Sequence, residues 1–165
     1  MSEQREYNLD ISTLDTYITD DKEIYEDIDF ERYERSGVYK LELIWRNAYT
    51  YIDGDIADGL FLEIECRRYP DFIYHSFKLQ LLHNKHTNVI YQMEVYPDFK
   101  LSHRGKDGKV LYGTHIHHLK QTYKVDNMPY ETNWYEWLKY FCEKANINIS
   151  GKHNQPFIDE LDLTR

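Results

Sequence analysis

The chain has 165 residues, the usual size of one domain, and 41% of them are hydrophobic, enough for a core of its own. Its apolar runs last only a few residues, as at Gly59-Leu60-Phe61-Leu62, far from the roughly 20 that cross a bilayer, so no membrane span is expected. The formal net charge is −9, and it is unevenly spread: residues 1–35 hold 12 acids and four bases, whereas the rest of the chain holds 17 acids and 16 bases.

Residues 1–19 lack a sustained period and are expected to be irregular. Their opening, Met1-Ser2-Glu3-Gln4-Arg5-Glu6, is polar and acidic, without the apolar stretch of a signal peptide. Next, Asp20 as an N-cap, Glu23 three residues on, apolar positions at Ile24, Tyr25, Ile28 and Tyr33, and the stop Ser36-Gly37 predict a helix near 21–35. Carboxylates crowd this segment and alternate with Tyr7, Tyr17, Tyr25, Phe30 and Tyr33. Such a surface opposes direct contact with nucleic acid and suits a basic, nucleic-acid-handling protein. The partner-binding candidates are Asp20, Asp21, Glu23, Tyr25, Glu26, Asp27, Asp29, Glu31, Tyr33 and Glu34.

From Gly37 the period changes to two. Tyr39, Leu41, Leu43 and Trp45 share one strand face, and a polar loop marked by Asp53-Gly54-Asp55 and Asp58-Gly59 follows. Leu60, Leu62, Ile64 and Cys66 alternate next, then a turn at Tyr69-Pro70-Asp71, then Ile73, His75, Phe77, Leu79 and Leu81. A polar loop is expected over 83–88, before the strand of Val89, Tyr91, Met93 and Val95. Connections this short predict an antiparallel meander. Lys106-Asp107-Gly108-Lys109 reads as a tight turn between Leu101-Ser102-His103-Arg104 and the stretch 110–119.

The clearest helix opens at Asn133 as N-cap, with Glu136 in the capping-box place and a stripe of Trp134, Trp137, Leu138, Phe141, Cys142 and Ala145. Residues 151–165 read as a loosely packed tail. Cys66 and Cys142 lie on apolar faces, no C-x-x-C pair occurs, and two free thiols in a cytoplasmic setting are expected. The expected fold class is therefore α+β: an antiparallel meander of four to six strands, with the acidic N-terminal helix and the C-terminal amphipathic helix packed on it. It would form a single domain of three parts, 1–36, 37–149 and 150–165.

Four of the eight histidines, His103, His115, His117 and His118, fall close together. His115 and His117 are two apart, so on a strand they share a face. Pairing across the tight turn would bring His103 and Arg104 to them. Such a group either binds a metal or acts as general acid and base on a phosphodiester, with Arg104 taking up charge. H-x-H opens a cupin-type metal motif, yet Lys120 and Gln121 stand where its acidic ligand would follow. The plainer alternative is a set of polar strand residues hydrogen-bonded to backbone and to one another. His75, on an apolar strand face, reads as a core histidine.

His103-Arg104-Gly105-Lys106-Asp107-Gly108 followed by Gly113-Thr114-His115-Ile116-His117 resembles a family of uncharacterised small bacterial and phage proteins. That family has a helix, a strand meander, an H-x-N-P-D-G turn, a G-x-H-x-H strand and a closing helix. The resemblance covers about 37–149; Gly105-Lys106 replace Asn-Pro, and the residues after His118 differ. It implies a fold and a mobile-element setting, and no mechanism. Joined to the acidic segment, it leads to the first functional expectation, a phage-type inhibitor such as an anti-CRISPR protein. Such an inhibitor would block a basic nuclease in the host cytosol without any cofactor. The alternative is a small metal- or histidine-dependent phosphodiesterase or ribonuclease using His103, Arg104, His115 and His117.

Overall fold

In the computed structural model, which describes residues 5–34, 41–105 and 107–156, the chain begins with α1 (Ile11–Thr19), β1 (Lys22–Ile24) and β2 (Glu31–Glu34). It continues through β3 (Leu41–Arg46), β4 (Tyr51–Ile52), β5 (Asp55–Ile56), β6 (Leu60–Arg68), β7 (Ile73–His83) and β8 (His86–Val95). Then come β9 (Leu101–Arg104), β10 (Val110–Tyr112), β11 (His115–His118), β12 (Gln121–Lys124), α2 (Trp134–Ala145) and β13 (Ile147–Ile149).

The alternating stretches form one antiparallel sheet of seven strands in the order β12-β11-β8-β7-β6-β3-β2. Chain order is kept across it, with the β4–β5 and β9–β10 hairpins as excursions. The register places Trp45, Ile64, Phe77, Met93 and Ile116 in one rung, all buried. Both helices cover this apolar face. Leu14 and Ile18 of α1 and Trp134, Trp137, Leu138, Phe141 and Ala145 of α2 join the same core, with Phe141 stacked on Phe77 at 5.7 Å between ring centres. The Asn133 side chain accepts from the Glu136 backbone N–H at 3.0 Å, and Asn146 ends the helix in the left-handed region (φ 58°). So α+β with a dominant antiparallel sheet holds, with seven strands in the main sheet instead of four to six.

A second sheet, β13-β1-β4-β5, ties the two ends of the chain together. β1 runs parallel to β13, pairing Lys22 with Ile147 and Ile24 with Ile149, and Ile28 bridges to His153. This pairing overturns the helix expected near 21–35. Ile24 and Ile28 are fully buried, but from two extended pieces and not from one helical stripe. Asp20 is no N-cap; it ends α1, its backbone N–H donating to Thr16 O at 2.9 Å. The helix lies in the stretch expected to be irregular, where Leu14 and Ile18 bury one side. The supposed tail is packed as far as it is described, and 157–165, like the predicted stop at Ser36-Gly37, lies outside the described residues. The loops at 47–59 and 83–88 are hairpins. Their tight turns, at Asp53-Gly54 and Asn84-Lys85, carry two consecutive residues of positive φ, as turns matched to strand twist require.

Candidate functional site

The face of the large sheet turned away from the helices is polar and largely buried. One rung reads Ile44, Glu65, Ser76, Glu94, His115, Lys124; the next reads Arg46, Glu63, Lys78, Gln92, His117, Thr122. At the β3–β7 end this face holds ion pairs: Glu63 with Lys78 at 2.9 Å and with Arg46, and Arg67, from the adjoining rung with Glu42, between Glu42 at 3.1 Å and Glu65. Toward β11 the ion pairs give way to imidazoles.

His115 and His117 converge with the Glu94 carboxylate. His115 Nε2 lies 3.2 Å and His117 Nε2 3.1 Å from Glu94 Oε1, and the two nitrogens are 3.0 Å apart. Each group is held from behind. His115 Nδ1 donates to Gly113 O at 3.3 Å, His117 Nδ1 meets Thr122 Oγ1 at 3.1 Å, and the Tyr74 hydroxyl donates to Glu94 Oε2 at 2.6 Å. Gly113 turns the chain between β10 and β11 at φ 80°, which aims its carbonyl at the imidazole. Burial by itself would raise the Glu94 carboxyl, but hydrogen bonds to His115 and His117 outweigh it and hold the group well below the carboxylate range. Burial, helped by the Arg5 and His115 charges, pushes His117 down against the pull of Glu94.

His103 comes to this pair from the β9–β10 hairpin. A ligand atom of each of His103, His115 and His117 lies within 4.8 Å of the others. His103 and His117 line an open groove of about 920 Å³. Its walls are the N-terminal segment with Arg5, Tyr7 and Leu9, the β9–β10 hairpin, and the turn into β12 with Leu119, Lys120 and Thr122. Three cations, Arg5, Lys109 and Lys120, and two acids, Glu6 and Asp107, line it, a local excess of positive charge in a chain of net charge −9.

No family model, curated protein or solved structure matches the chain.

Of the predicted cluster, the fold gathers His103, His115 and His117. Arg104 is exposed and does not line the groove, because it faces opposite to its strand neighbour His103. His118 turns to the helical face and meets Asp15 of α1 at 2.9 Å. Glu94, Thr122, Tyr74 and Arg5 are additions that the sequence spacing did not reveal. Glu94 follows Met93 on β8, so its place on the polar face is legible in the alternation, but its pairing with His115 is set by the order of strands in space.

The acidic candidates have several fates. Asp20, Asp21, Tyr25, Asp27, Asp29 and Glu31 are exposed. Glu26 accepts the backbone N–H groups of Ala48 and Tyr49 at 2.7 and 3.1 Å, and Glu23 accepts from Asn148 at 2.8 Å. Asp27 accepts from the Lys152 N–H at 2.7 Å, and Asp29 from Asn154 at 2.9 Å. The side chains of Tyr33 and Glu34 lie outside the described residues.

Proposed function

We propose that this protein is a small phosphodiesterase whose centre is the histidine cluster. The observation that carries the proposal is the convergence of three imidazoles and one carboxylate, of which His103 and His117 line a groove that also presents Arg5 and Lys120. Imidazoles near a groove supply proton transfer at neutral pH, and adjacent cations take up charge on phosphoryl oxygens. Water would add to phosphorus while its proton passes to the cluster. The bond from phosphorus to the leaving oxygen then breaks, and that oxygen receives a proton from the cluster. Arg5 replaces Arg104 in the charge-neutralising role. The groove also carries apolar side chains, Tyr7, Leu9 and Leu111, on which a base can rest, so single-stranded RNA or DNA is the substrate class.

The test is cleavage of single-stranded RNA, single-stranded DNA and a chromogenic phosphodiester, each with and without added divalent cations. We expect turnover that falls about 10²–10⁴-fold in His117→Ala. No cleavage of any of the three, or cleavage unchanged in that variant, removes the proposal.

A second proposal, the acidic inhibitor, is supported by exposed carboxylates at Asp20 and Asp21 near Tyr25, a residue that is 59% exposed. Exposed acids of this kind steer a basic partner and make binding salt-sensitive. Neutralising Asp20 and Asp21 together should weaken capture of a basic nuclease; equal capture would exclude these residues as its contact.

A further inference from the structure

We infer that His115, His117 and Glu94 bind one divalent transition-metal ion of the zinc class, with its open coordination position turned to His103 and the groove. The ion deepens the phosphodiesterase proposal, on which its catalytic role rests, while its binding can be measured without any substrate.

The inference starts from where the protons are. Gly113 O can only accept, so in the neutral ring, the form that binds a cation, the 3.3 Å contact puts the proton of His115 on Nδ1 and leaves a lone pair on Nε2. Glu94 Oε2 is engaged by the Tyr74 hydroxyl, so Oε1 is the oxygen that faces inward. Two acceptors therefore point at one spot together with His117 Nε2, at mutual distances of 3.0, 3.1 and 3.2 Å. Lone pairs packed this closely in a buried site repel unless a proton or a cation lies between them.

The dimensions suit a cation. A triangle with these edges has its centre about 1.8 Å from each corner, so an ion with bonds of about 2.0–2.2 Å sits roughly 1 Å out of its plane. Two imidazoles and one carboxylate select zinc-like ions over magnesium and calcium, which prefer all-oxygen shells. The partners behind each ligand, Gly113 O, Thr122 Oγ1 and the Tyr74 hydroxyl, match the outer shell that fixes ring orientation in metal sites. Three protein ligands leave a fourth position for water, the arrangement of a catalytic site and not of a closed structural one. His103 is within 4.8 Å of the ligand nitrogens, in reach of such a water as its proton acceptor.

Protein stripped with a chelator and titrated calorimetrically with zinc chloride should take up one ion per chain, and magnesium chloride should give no saturable binding. Glu94→Gln, nearly equal in shape, should weaken zinc binding at least tenfold with an unchanged far-ultraviolet spectrum, and His115→Ala should do the same. His103→Ala should change affinity less than threefold, while abolishing cleavage. Absence of one-per-chain uptake, undiminished uptake by Glu94→Gln, or a loss in His103→Ala equal to that in His115→Ala would overturn the assignment. Cleavage that persists in chelator overturns the ion but keeps the phosphodiesterase. Uptake without cleavage supports the ion and removes the phosphodiesterase.

Discussion

Glu63 and Glu65 stand two residues apart on β6, on the same buried polar face, and their carboxyls shift in opposite directions. For Glu63, burial opposes ionisation, but Lys78 and Arg46 outweigh it and lower its pKa. For Glu65, burial is the largest influence and, helped by the neighbouring Glu42 and Glu63 charges, raises its pKa from 4.5 against the pull of Arg67 and Lys78. Glu63 therefore contributes stability that is present above pH 4.5 and is lost as pH falls through its lower folded value. Glu65 does the reverse: its penalty is full at neutral pH and is relieved as pH falls through its raised folded value. Glu63→Gln should cost about 1–3 kcal/mol at pH 7, and Glu65→Gln should cost nothing or stabilise. Urea melts at pH 7 and pH 4 check this, since both differences should shrink at the lower pH. The alternation that placed these glutamates opposite Leu62, Ile64 and Cys66 was legible in the sequence. Which cation each one meets was not, because that depends on the neighbours β3 and β7.

The same division holds among the elements. β6, β7, β8 and α2 were readable because their signals are local: a period of two over nine to eleven residues, and one capped apolar stripe. Replacing the N-cap, Asn133→Ala, should cost about 1 kcal/mol, seen as a lower melting temperature with the fold intact. The 21–35 segment failed as a reading because its deciding contacts come from β13 and 151–156, more than 120 residues away along the chain. A buried Lys22 that donates from Nζ to the carbonyls of Tyr17, Ile18 (3.0 Å) and Asp20 could not be foreseen from a charge pattern that looked solvated. The join between these distant segments is tight. A Cβ on Gly151 would lie 2.2 Å from Glu26 O, a backbone atom that cannot swing aside. Gly151→Ala should therefore destabilise by about 1–3 kcal/mol or more, measured by urea unfolding. An Asp27→Ala change, which removes only the cap on the Lys152 N–H, should cost less than Gly151→Ala.

At the scale of the molecule, the two sheets share one core and so should unfold as one. Ile24 and Ile28 from the N-terminal segment, Ile147 and Ile149 from β13, and Phe77, Met93 and Phe141 from the main layers form a single buried cluster. Trp45, Trp134 and Trp137 lie in it too, so tryptophan fluorescence reports on the main sheet and on α2 at once. Thermal unfolding followed by fluorescence and by far-ultraviolet dichroism should give coincident transitions. Ending the chain after residue 146 tests how far this coupling reaches. It removes Ile147 and Ile149 and uncovers Ile24 and Ile28, four aliphatic side chains at about 2 kcal/mol each, or roughly 8 kcal/mol. That equals much of the roughly 5–15 kcal/mol that holds a domain folded. The shortened chain should lose its cooperative transition altogether. If it instead kept the tryptophan transition within a few degrees, the second sheet would be an appendage. The groove would then rest on the seven-stranded sheet, the β9–β10 hairpin and the segment around Arg5.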